Sequence, residues 1–246
     1  MQGLIHSIDT FSTLDGPGIR TVIFMQGCHL RCKYCQNPDT WEINAPSAKI
    51  YSVDGLMEII RANIPYFTAS KGGITFSGGE PLLQYKFIKE IFTNCRKERI
   101  STAFDSSLYV STKSVSELLP FTDLVLADIK QIDDEKSRYL TGASNRLNLQ
   151  NLELINEHGV PIWIRYVIVP GLTDTARDIE QMAKFVANLN TVERIDLLPY
   201  HSLGKHKWDI LRINYELENT KPPAKEEIQE LAGKISSIVD SSILVQ

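Results

Sequence analysis

The sequence has little of several features that mark special classes of protein. Only 4 of its 246 residues are cysteine, and its 26 Lys and Arg do not outnumber its 30 Asp and Glu. So few cysteines exclude a disulfide-dense scaffold, and the slight excess of negative charge argues against non-specific binding to nucleic acid. There is also no low-complexity stretch and no internal repeat, so the composition is that of an ordinary globular chain.

Long apolar runs are missing as well. No run reaches the roughly 18 residues that a membrane-spanning helix needs. Residues 1–6 lack the basic region and the apolar region with which a secretory signal begins. We therefore expect a cytoplasmic protein without a membrane partner. In that reducing compartment the cysteines are expected to stay reduced rather than to form disulfides.

Short apolar runs alternate along the chain with longer segments of helical periodicity. The runs predict six strands, at residues 21–25, 73–76, 101–104, 123–127, 161–169 and 194–198. The longer segments predict helices at residues 53–63, 82–99, 115–119, 148–158, 174–188 and 224–237. Such alternation is typical of an α/β fold with a parallel sheet and helical crossovers.

Polar residues follow five of the six predicted strands, and Arg165 lies within the remaining one, residues 161–169. Strand ends are where α/β folds place their chemistry. Polar groups at so many strand ends fit the mouth of a barrel better than the single crevice of a doubly wound sheet. We therefore predict a partial parallel barrel of about six βα units, formed by one domain that covers residues 1–246.

Three of the four cysteines lie close together just after the first predicted strand. Cys28, Cys32 and Cys35 have the spacing C-x3-C-x2-C, whereas Cys95 lies on the apolar face of a predicted helix and is expected to be a buried thiol. A structural zinc site needs four protein ligands, and no fourth ligand is well placed. An iron–sulfur cubane held by three thiolates keeps one iron open to a substrate atom. The spacing favours the cubane, with structural zinc and unrelated buried thiols as alternatives.

A second motif, Ser77-Gly78-Gly79-Glu80-Pro81, follows the second predicted strand. Its two glycines allow a ligand to approach the backbone closely, and the carboxylate of Glu80 could bind a ligand ammonium. Taken alone, the motif fits a tight strand-to-helix turn equally well. Its place beside the cysteine-bearing strand end favours a ligand site.

Together, the two motifs resemble those of the radical S-adenosylmethionine enzymes, which also carry an aromatic residue, here Tyr34, before the last cysteine. Further blocks are similar to those of the glycyl-radical-enzyme activases of the pyruvate formate-lyase type. These blocks lie within residues 6–7, 15–20, 26–28, 37–41, 128–131, 163–171 and 197–208, so the resemblance covers most of the chain.

The resemblance implies that the chain activates pyruvate formate-lyase by generating its glycyl radical. Reductive cleavage of S-adenosylmethionine at one [4Fe-4S] cluster would supply a 5'-deoxyadenosyl radical for this step. It also implies a flavodoxin-type electron donor and a monomeric chain. The single spare cysteine excludes the extra ferredoxin-like clusters of many other activases. An activase of another glycyl radical enzyme, or a radical enzyme acting on a small molecule, is the alternative.

The resemblance also assigns roles to individual residues, with no catalytic residue beyond the cluster and S-adenosylmethionine. The cluster would be held by Cys28, Cys32 and Cys35. S-adenosylmethionine would be bound by Tyr34, Gly78, Gly79, Glu80, Lys130, Arg165 and His201. A monovalent cation would be held by Asp105, Ser106 and Asp128, with a backbone carbonyl near Leu126. The partner's glycine loop would be contacted by Asp15.

Four of these assignments have plainer alternatives. Asp105 could be only a helix cap, and Asp128 a surface carboxylate. Arg165 could belong to a structural ion pair, and His201 could be an ordinary core or loop residue. Their common location at predicted strand ends argues against all four alternatives at once.

The sequence departs from the family pattern in three places. Gln36 stands where close relatives often have His. Ser106 replaces Thr but keeps the hydroxyl, so the cation site is expected to survive. Ser107-Leu108 replaces a commoner pair that ends in Gly, which leaves the conformation of that loop open.

Overall fold

Nine strands and nine α-helices follow one another along residues 1–245, the part of the chain that a computed structural model of this protein describes. The strands are β1 (Gln2–Ser12), β2 (Arg20–Met25), β3 (Lys49–Ser52), β4 (Gly73–Gly78), β5 (Ser101–Ser106), β6 (Leu124–Asp128), β7 (Ile162–Ile168), β8 (Val192–Pro199) and β9 (Ser242–Val245). The α-helices are α1 (Val53–Ala62), α2 (Ile64–Ser70), α3 (Tyr85–Lys97), α4 (Thr112–Ser116), α5 (Asp134–Thr141), α6 (Arg146–Glu157), α7 (Ala176–Val186), α8 (Lys205–Leu211) and α9 (Lys225–Ser236). Single turns of 3-10 helix lie at Pro38–Thr40, Pro81–Gln84 and Leu119–Phe121.

All six predicted strands are confirmed, as β2 and β4 to β8, and each end lies within two residues of its predicted position. The prediction lacks β1, β3 and β9. Most residues of these three strands are exposed or half-buried, so their apolar pattern is weak. It also lacks α2, α5 and α8, which have only seven or eight residues each and are shorter than the window in which helical periodicity is recognised.

The chain folds into two compact units. The first comprises residues 1–29 and 40–126, and the second comprises residues 30–39 and the chain from residue 127 onward. In the first unit the strand order is β3-β1-β2-β4-β5, with β1 antiparallel to both neighbours and β2, β4 and β5 parallel. In the second unit β7, β8 and β9 are parallel neighbours in that order. Strand β6 begins in the first unit and ends in the second.

The core of the first unit is built from apolar side chains on adjacent parallel strands. The register pairs Ile23 with Phe76 and Phe76 with Phe104, and all three side chains are completely buried. Helix α3 packs its apolar face against them, with the rings of Phe76 and Phe92 5.7 Å apart. Each such buried side chain stabilises the fold by about 1.5–3 kcal/mol. Cys95 lies on this face of α3 and is fully buried, as predicted.

Strand β7 of the second unit alternates strictly between buried and half-buried residues. Its buried face carries Ile162, Ile164, Tyr166 and Ile168. Successive side chains point to opposite faces of a strand, so Arg165 lies on the half-buried face, away from this core. Arg165 therefore lies on the face of β7 opposite the apolar core.

The strands β2, β4 and β5 of the first unit and β7, β8 and β9 of the second are parallel, and neither strand order returns to its first strand. The predicted α/β fold with an open parallel sheet is thereby confirmed. Its organisation as one domain over residues 1–246 stays a prediction. Within residues 1–245, no helix is both long enough and apolar enough to cross a membrane.

Candidate cluster and cofactor site

The turn that follows β4 lies directly against the end of β2. Within this turn, the N–H of Gly79 donates to the carbonyl oxygen of Met25 at 3.0 Å, and the N–H of Glu80 donates to that of Gly27 at 2.7 Å. A Cβ atom added to Gly78 would lie 2.4 Å from the nitrogen of Met25, and one added to Gly79 would lie 2.3 Å from the oxygen of Gly27. Both glycines are therefore required by this close approach.

Backbone hydrogen bonds also fix Cys28 next to this turn. The N–H of Gly27 donates to the carbonyl oxygen of Thr40 at 2.7 Å, and the N–H of Cys28 donates to that of Trp41 at 3.0 Å. Cys28 itself is half-buried and forms no disulfide with another described residue. Since Gly27 is bonded both to this segment and to the glycine turn, the backbone at the first clustered cysteine is fixed next to residues 78–80.

Glu80 is almost completely buried, and its carboxylate is bonded within the first unit. Its Oε1 accepts from the hydroxyl of Ser106 at 2.7 Å and from the N–H of Leu82 at 3.2 Å. Its Oε2 accepts from the N–H and the hydroxyl of Ser107, at 3.0 Å and 2.6 Å. Burial raises the pKa of Glu80, and these hydrogen bonds oppose that shift. The carboxylate anchors the loop after β5, and its role toward a ligand ammonium stays a prediction.

In the loop after β5, Leu108 stands where the commoner pair has Gly, and its backbone adopts a conformation that favours glycine. Leu108 has a positive φ of 55°, a conformation that favours glycine. Its side chain is completely buried, and its N–H donates to the hydroxyl of Ser106 at 2.8 Å. Burial of the leucine side chain offsets the backbone strain, so this loop keeps a fixed shape without glycine.

Asp105 and Ser106, two of the predicted cation ligands, form the end of β5. Asp105 accepts a hydrogen bond at Oδ2 from the hydroxyl of Ser77, at 2.9 Å. The hydroxyl of Ser106 donates to Glu80. The third predicted ligand, Asp128, belongs to the second unit. Cation binding by these three residues stays a prediction.

Cys32 and Cys35 belong to the second unit, in a loop without helix or strand. The N–H of Cys35 donates to the carbonyl oxygen of Cys32 at 3.0 Å, so one turn of the chain brings the two residues together. Cys32 is buried, Cys35 is half-buried, and both thiols are free of disulfides. The N–H groups on either side of Cys32 donate to carbonyl oxygens at the end of α5, at 2.8 Å and 2.9 Å, which ties the loop to that helix.

Residues 201–208, which we call the clasp, bond the same loop. The side-chain amide of Gln36 donates to the carbonyl oxygen of His201 at 2.7 Å and accepts from the N–H of Gly204 at 2.8 Å. The indole N–H of Trp208 donates to the carbonyl oxygen of Cys35 at 2.9 Å. A Cβ atom on Gly204 would lie 2.6 Å from the carbonyl oxygen of Gln36, so the two backbones approach too closely for a side chain.

Lys207 adds polar contacts between the clasp and the cysteine loop. Its ammonium donates to Oδ1 of Asn37 at 2.7 Å and lies 3.0 Å from Oδ2 of Asp39. Lys207 and Trp208 had no predicted role, although both lie in a block that carries the resemblance. Gln36 differs from the residue that close relatives often have, and in the structure its side chain makes two hydrogen bonds to the clasp.

Tyr34, Asp128 and Lys130 are brought together in the second unit. The ammonium of Lys130 lies 2.7 Å from Oδ2 of Asp128 and 5.8 Å from the centroid of the Tyr34 ring. Burial lowers the pKa of Lys130, but Asp128, Tyr34 and Cys32 together outweigh burial and hold that pKa well above its usual value. Tyr34 is buried, which raises the pKa of its hydroxyl. The three residues form an ion pair packed beside an aromatic ring.

Arg165 and His201 lie in different surroundings. The carbonyl oxygen of Arg165 accepts from the N–H of Ile129 at 3.1 Å, so the backbone of Arg165 lies alongside the segment that carries Lys130. His201 follows β8 and is exposed, and its carbonyl oxygen is the acceptor of Gln36. The structure therefore groups Arg165 with the Lys130 segment and leaves His201 at the surface.

Asp15 lies in the loop before β2. The register pairs Ser12 with Arg20, so this loop is at the amino end of β2, whereas Cys28 follows the carboxyl end. The hydroxyl of Thr75 on β4 donates to the carbonyl oxygen of Asp15 at 2.6 Å. The contact of Asp15 with a partner stays a prediction.

The three clustered cysteines supply a donor set that fits an iron–sulfur cubane. Within residues 1–245 none of the three forms a disulfide, and cysteine thiolates are the ligands that hold such clusters. Within residues 1–245, no three His, Cys, Asp or Glu side chains are grouped closely enough to hold a single metal ion. A structural zinc needs such a group, with its ligand atoms about 2.0–2.3 Å from one ion, whereas the thiolates of a cubane bind different irons.

Comparison with known proteins agrees with this donor set. The pattern of the Radical SAM superfamily matches residues 22–186, which is more than half of the chain. The pyruvate formate-lyase-activating enzyme of Staphylococcus epidermidis is 43% identical over 236 residues, which cover 94% of this chain and 94% of that protein.

Solved structures share the fold. A domain of the pyruvate-formate lyase-activating enzyme from Bacteroides vulgatus has a TM-score of 0.60 at 27% identity, covering 71% of this chain and 99% of that one. Streptococcus suis SuiB, solved with its precursor peptide SuiA, has a TM-score of 0.67 at 16% identity, covering 97% of this chain and 50% of that one. These likenesses confirm the predicted radical SAM type of α/β fold. By its matched pattern and its identity over nearly the whole length, the chain belongs to the radical SAM superfamily and, within it, to the family of the pyruvate formate-lyase-activating enzymes.

Proposed function

We propose that this chain activates pyruvate formate-lyase by generating the glycyl radical of that enzyme. The observation that carries the proposal is the 43% identity over 94% of both chains with the Staphylococcus epidermidis relative, whose name states that activity. Both motifs that the chemistry requires, the cysteine triad and the glycine turn, are present in this sequence. The substrate is accordingly a protein, and the group acted on is one glycine of its chain.

The cluster and S-adenosylmethionine carry the chemistry. Cys28, Cys32 and Cys35 would hold one [4Fe-4S] cluster and leave one iron open to S-adenosylmethionine. When bound, the cluster supplies the electron that splits S-adenosylmethionine into methionine and a 5'-deoxyadenosyl radical, which takes a hydrogen atom from the glycine. The side chains of this protein then bind, orient and shield the reactants, so we name no catalytic residue among them.

The glycine turn and the other predicted cofactor residues would bind S-adenosylmethionine. Gly78 and Gly79 keep the backbone of the turn free of side chains, so a methionine amino group can reach its polar groups. Glu80 adds a buried negative charge beside them. Lys130 and Arg165 bring positive charge that suits the methionine carboxylate. The rings of Tyr34 and His201 complete this set, as surfaces against which adenine can pack.

A monovalent cation is part of the proposal, with oxygen ligands from Asp105, Ser106 and Asp128. Carboxylate and hydroxyl oxygens suit a hard cation. Each of these residues ends a strand, the position from which side chains reach a site in this fold. Lys130 contacts Oδ2 of Asp128, which leaves Oδ1 for the cation.

We further propose a cytoplasmic monomer that receives its electron from a flavodoxin-type protein. A negatively charged donor would dock on basic residues near the cysteine loop. Lys33 is poorly suited, because its ammonium pairs with Glu216 and lies 3.8 Å from the centroid of the Tyr139 ring. Arg31 lies in the same loop and is exposed. Asp15 would contact the glycine loop of pyruvate formate-lyase.

The test uses protein purified and reconstituted without oxygen. The chain is reduced and mixed with S-adenosylmethionine and pyruvate formate-lyase, and electron paramagnetic resonance spectra are recorded. A cluster signal that S-adenosylmethionine changes, followed by a glycyl doublet on the partner, supports the proposal. Cleavage of S-adenosylmethionine without the doublet would assign another substrate, protein or small molecule. Zinc in place of iron after reconstitution would overturn the cluster itself.

A further inference from the structure

The loop formed by residues 15–19 is fixed at both ends. The hydroxyl of Ser12 donates to Oδ2 of Asp15 at 2.6 Å, which orients this carboxylate. At the other end, the N–H of Ile19 donates to the hydroxyl of Ser70 at 2.8 Å. A loop held in this way has lost its conformational freedom before any ligand arrives.

Two glycines allow this loop to lie flat on the structure below it. Gly16 and Gly18 have positive φ values of 122° and 70°, which favour glycine. A Cβ atom on Gly16 would lie 2.8 Å from Cδ of Arg20, and one on Gly18 would lie 2.5 Å from the carbonyl oxygen of Ser70. The loop is thus pressed against Arg20 on one side and against the end of α2 on the other.

Arg20 lies beneath the loop and is completely buried. Its Nε donates to the hydroxyl of Thr75 at 2.7 Å, and its Nη1 donates to the carbonyl oxygen of Pro17 at 3.4 Å. Burial lowers the pKa of Arg20 to about 10, while Asp123 and Asp15 oppose this shift. The guanidinium is therefore charged at neutral pH, and its burial is compensated by hydrogen bonds to the loop and to β4.

Thr75 links this buried cation to Asp15. Its hydroxyl accepts from Nε of Arg20 at 2.7 Å and donates to the carbonyl oxygen of Asp15 at 2.6 Å. Because a hydroxyl has a single proton, the bond from Arg20 leaves that proton for Asp15. Arg20 and Thr75 therefore fix the backbone of Asp15, and Ser12 fixes its carboxylate.

We infer that Thr75, backed by Arg20, is a positioning residue that holds Asp15 ready to bind the polypeptide of the partner enzyme. The inference rests on the proposed function, in which a glycine loop of the partner enters this protein. A carboxylate accepts hydrogen bonds from the N–H groups of an extended segment. A carboxylate that is already fixed binds such a segment without a further loss of loop entropy.

The test variant is Thr75→Val, which removes the hydroxyl and keeps a β-branched side chain. Glycyl-radical formation is followed by electron paramagnetic resonance at increasing concentrations of pyruvate formate-lyase. We expect the KM for the partner to rise about five- to tenfold, the effect of one lost hydrogen bond to the neutral backbone carbonyl of Asp15, with kcat changed less than about twofold. Thr75→Ser keeps the hydroxyl and should restore the wild-type KM.

The matched control is Thr102→Val. Thr102 is a buried threonine on the neighbouring strand β5, and its hydroxyl donates to the carbonyl oxygen of Phe121 at 2.6 Å, away from the loop. This variant should keep the wild-type KM. An equal rise of KM in both variants, or no rise in Thr75→Val, would overturn the inference.

Hydrogen exchange provides a readout that does not need the cluster. In the metal-free chain, the amides of residues 16–20 should exchange about tenfold faster in Thr75→Val than in the wild type, with β5 unchanged. Unchanged exchange at residues 16–20 would contradict the positioning role. If the wild-type chain forms no glycyl radical on pyruvate formate-lyase, the proposed function fails, and the exchange result still decides whether Thr75 holds this loop.

Discussion

The indole nitrogen of Trp208 donates a hydrogen bond to the carbonyl oxygen of Cys35 over 2.9 Å, although the two residues are 173 positions apart. The loop that carries Cys32 and Cys35 contains neither helix nor strand, so it has no hydrogen-bond ladder of its own. Its shape depends on α5 and on the clasp. Residues that never touch the cluster therefore determine how well the thiolates are presented.

Trp208→Phe should make the bound cluster more labile. The variant keeps an aromatic ring but loses the N–H that holds the backbone at Cys35. Since groups that orient metal ligands affect retention of the metal, we expect iron to leave the reconstituted chain about threefold faster or more in the presence of a chelator, measured without oxygen. Trp163→Phe is the control, because the indole N–H of Trp163 donates to the exposed carboxylate of Glu193 at 3.2 Å and not to the cysteine loop. Equal iron loss in both variants would contradict the prediction.

Gln36→Ala should weaken the second unit even without a cluster. The variant removes the bond to His201 and the bond from Gly204, each worth about 0.5–1.5 kcal/mol. We expect the free energy of unfolding of the metal-free chain to fall by about 1–3 kcal/mol in a urea titration. Gln150→Ala, at an exposed position of α6, should change it by less than about 0.5 kcal/mol. If Gln36→Ala and Gln150→Ala have the same free energy of unfolding, the prediction that the bonds of Gln36 stabilise the second unit is wrong.

Gly79→Ala should disrupt the glycine turn. Its Cβ atom would lie 2.3 Å from the oxygen of Gly27, so the turn must move away and lose the bond from Glu80. We expect a loss of stability of about 2 kcal/mol or more, seen as a lower Tm, and binding of S-adenosylmethionine weakened at least about tenfold. Gly233→Ala on α9 meets no atom within 4 Å and should keep or slightly raise the Tm.

Cys95 should resist alkylation in the native chain. Burial raises the pKa of Cys95 to about 12, so at pH 8 about one molecule in ten thousand carries the reactive thiolate. We expect iodoacetamide to modify Cys28 and Cys35 in the metal-free chain and to leave Cys95 unmodified until urea unfolds it. Mass spectrometry of the digested chain measures this, and equal rates at Cys35 and Cys95 would contradict it.

The same pKa shift predicts a loss of stability at high pH. The folded chain favours the protonated thiol of Cys95, whose ordinary pKa is 9.0. Its contribution to the free energy of unfolding is therefore complete below about pH 9 and declines as the pH rises toward about 12. Urea titrations of the wild type and of Cys95→Ala should converge over this range, since the variant has no thiol to ionise.

The parts of the fold that could be predicted are those whose pattern is local. Strand β4 is a short buried run, and α3 repeats its buried residues with helical spacing, so both are visible in the sequence. Strand β1 is not, because only two of its eleven residues are buried and its pairing with β2 and β3 is set by partners distant in sequence. The cysteine triad and the glycine turn were likewise visible from spacing alone.

The supporting contacts of the site could not be predicted, because they depend on close approach between distant segments. Gln36 bonds His201, 165 positions away, and the fit requires that Gly204 have no side chain. Leu108 adopts a backbone conformation against the preference of its residue type, and only its complete burial explains how this is tolerated. Neither feature leaves a periodic or compositional signal.

The bond from Glu80 to the oxygen of Gly27 also bears on how this sequence can change during evolution. One residue inserted between Met25 and Cys28, or within residues 78–80, would move the N–H of Glu80 and the carbonyl oxygen of Gly27 out of register. The hydrogen bond between the cysteine motif and the glycine turn would then be lost. Insertions in the exposed parts of residues 29–77 would not alter that fit. We therefore expect the total number of residues between Cys28 and Gly78 to vary among relatives, while the few residues on either side of the bond keep their number.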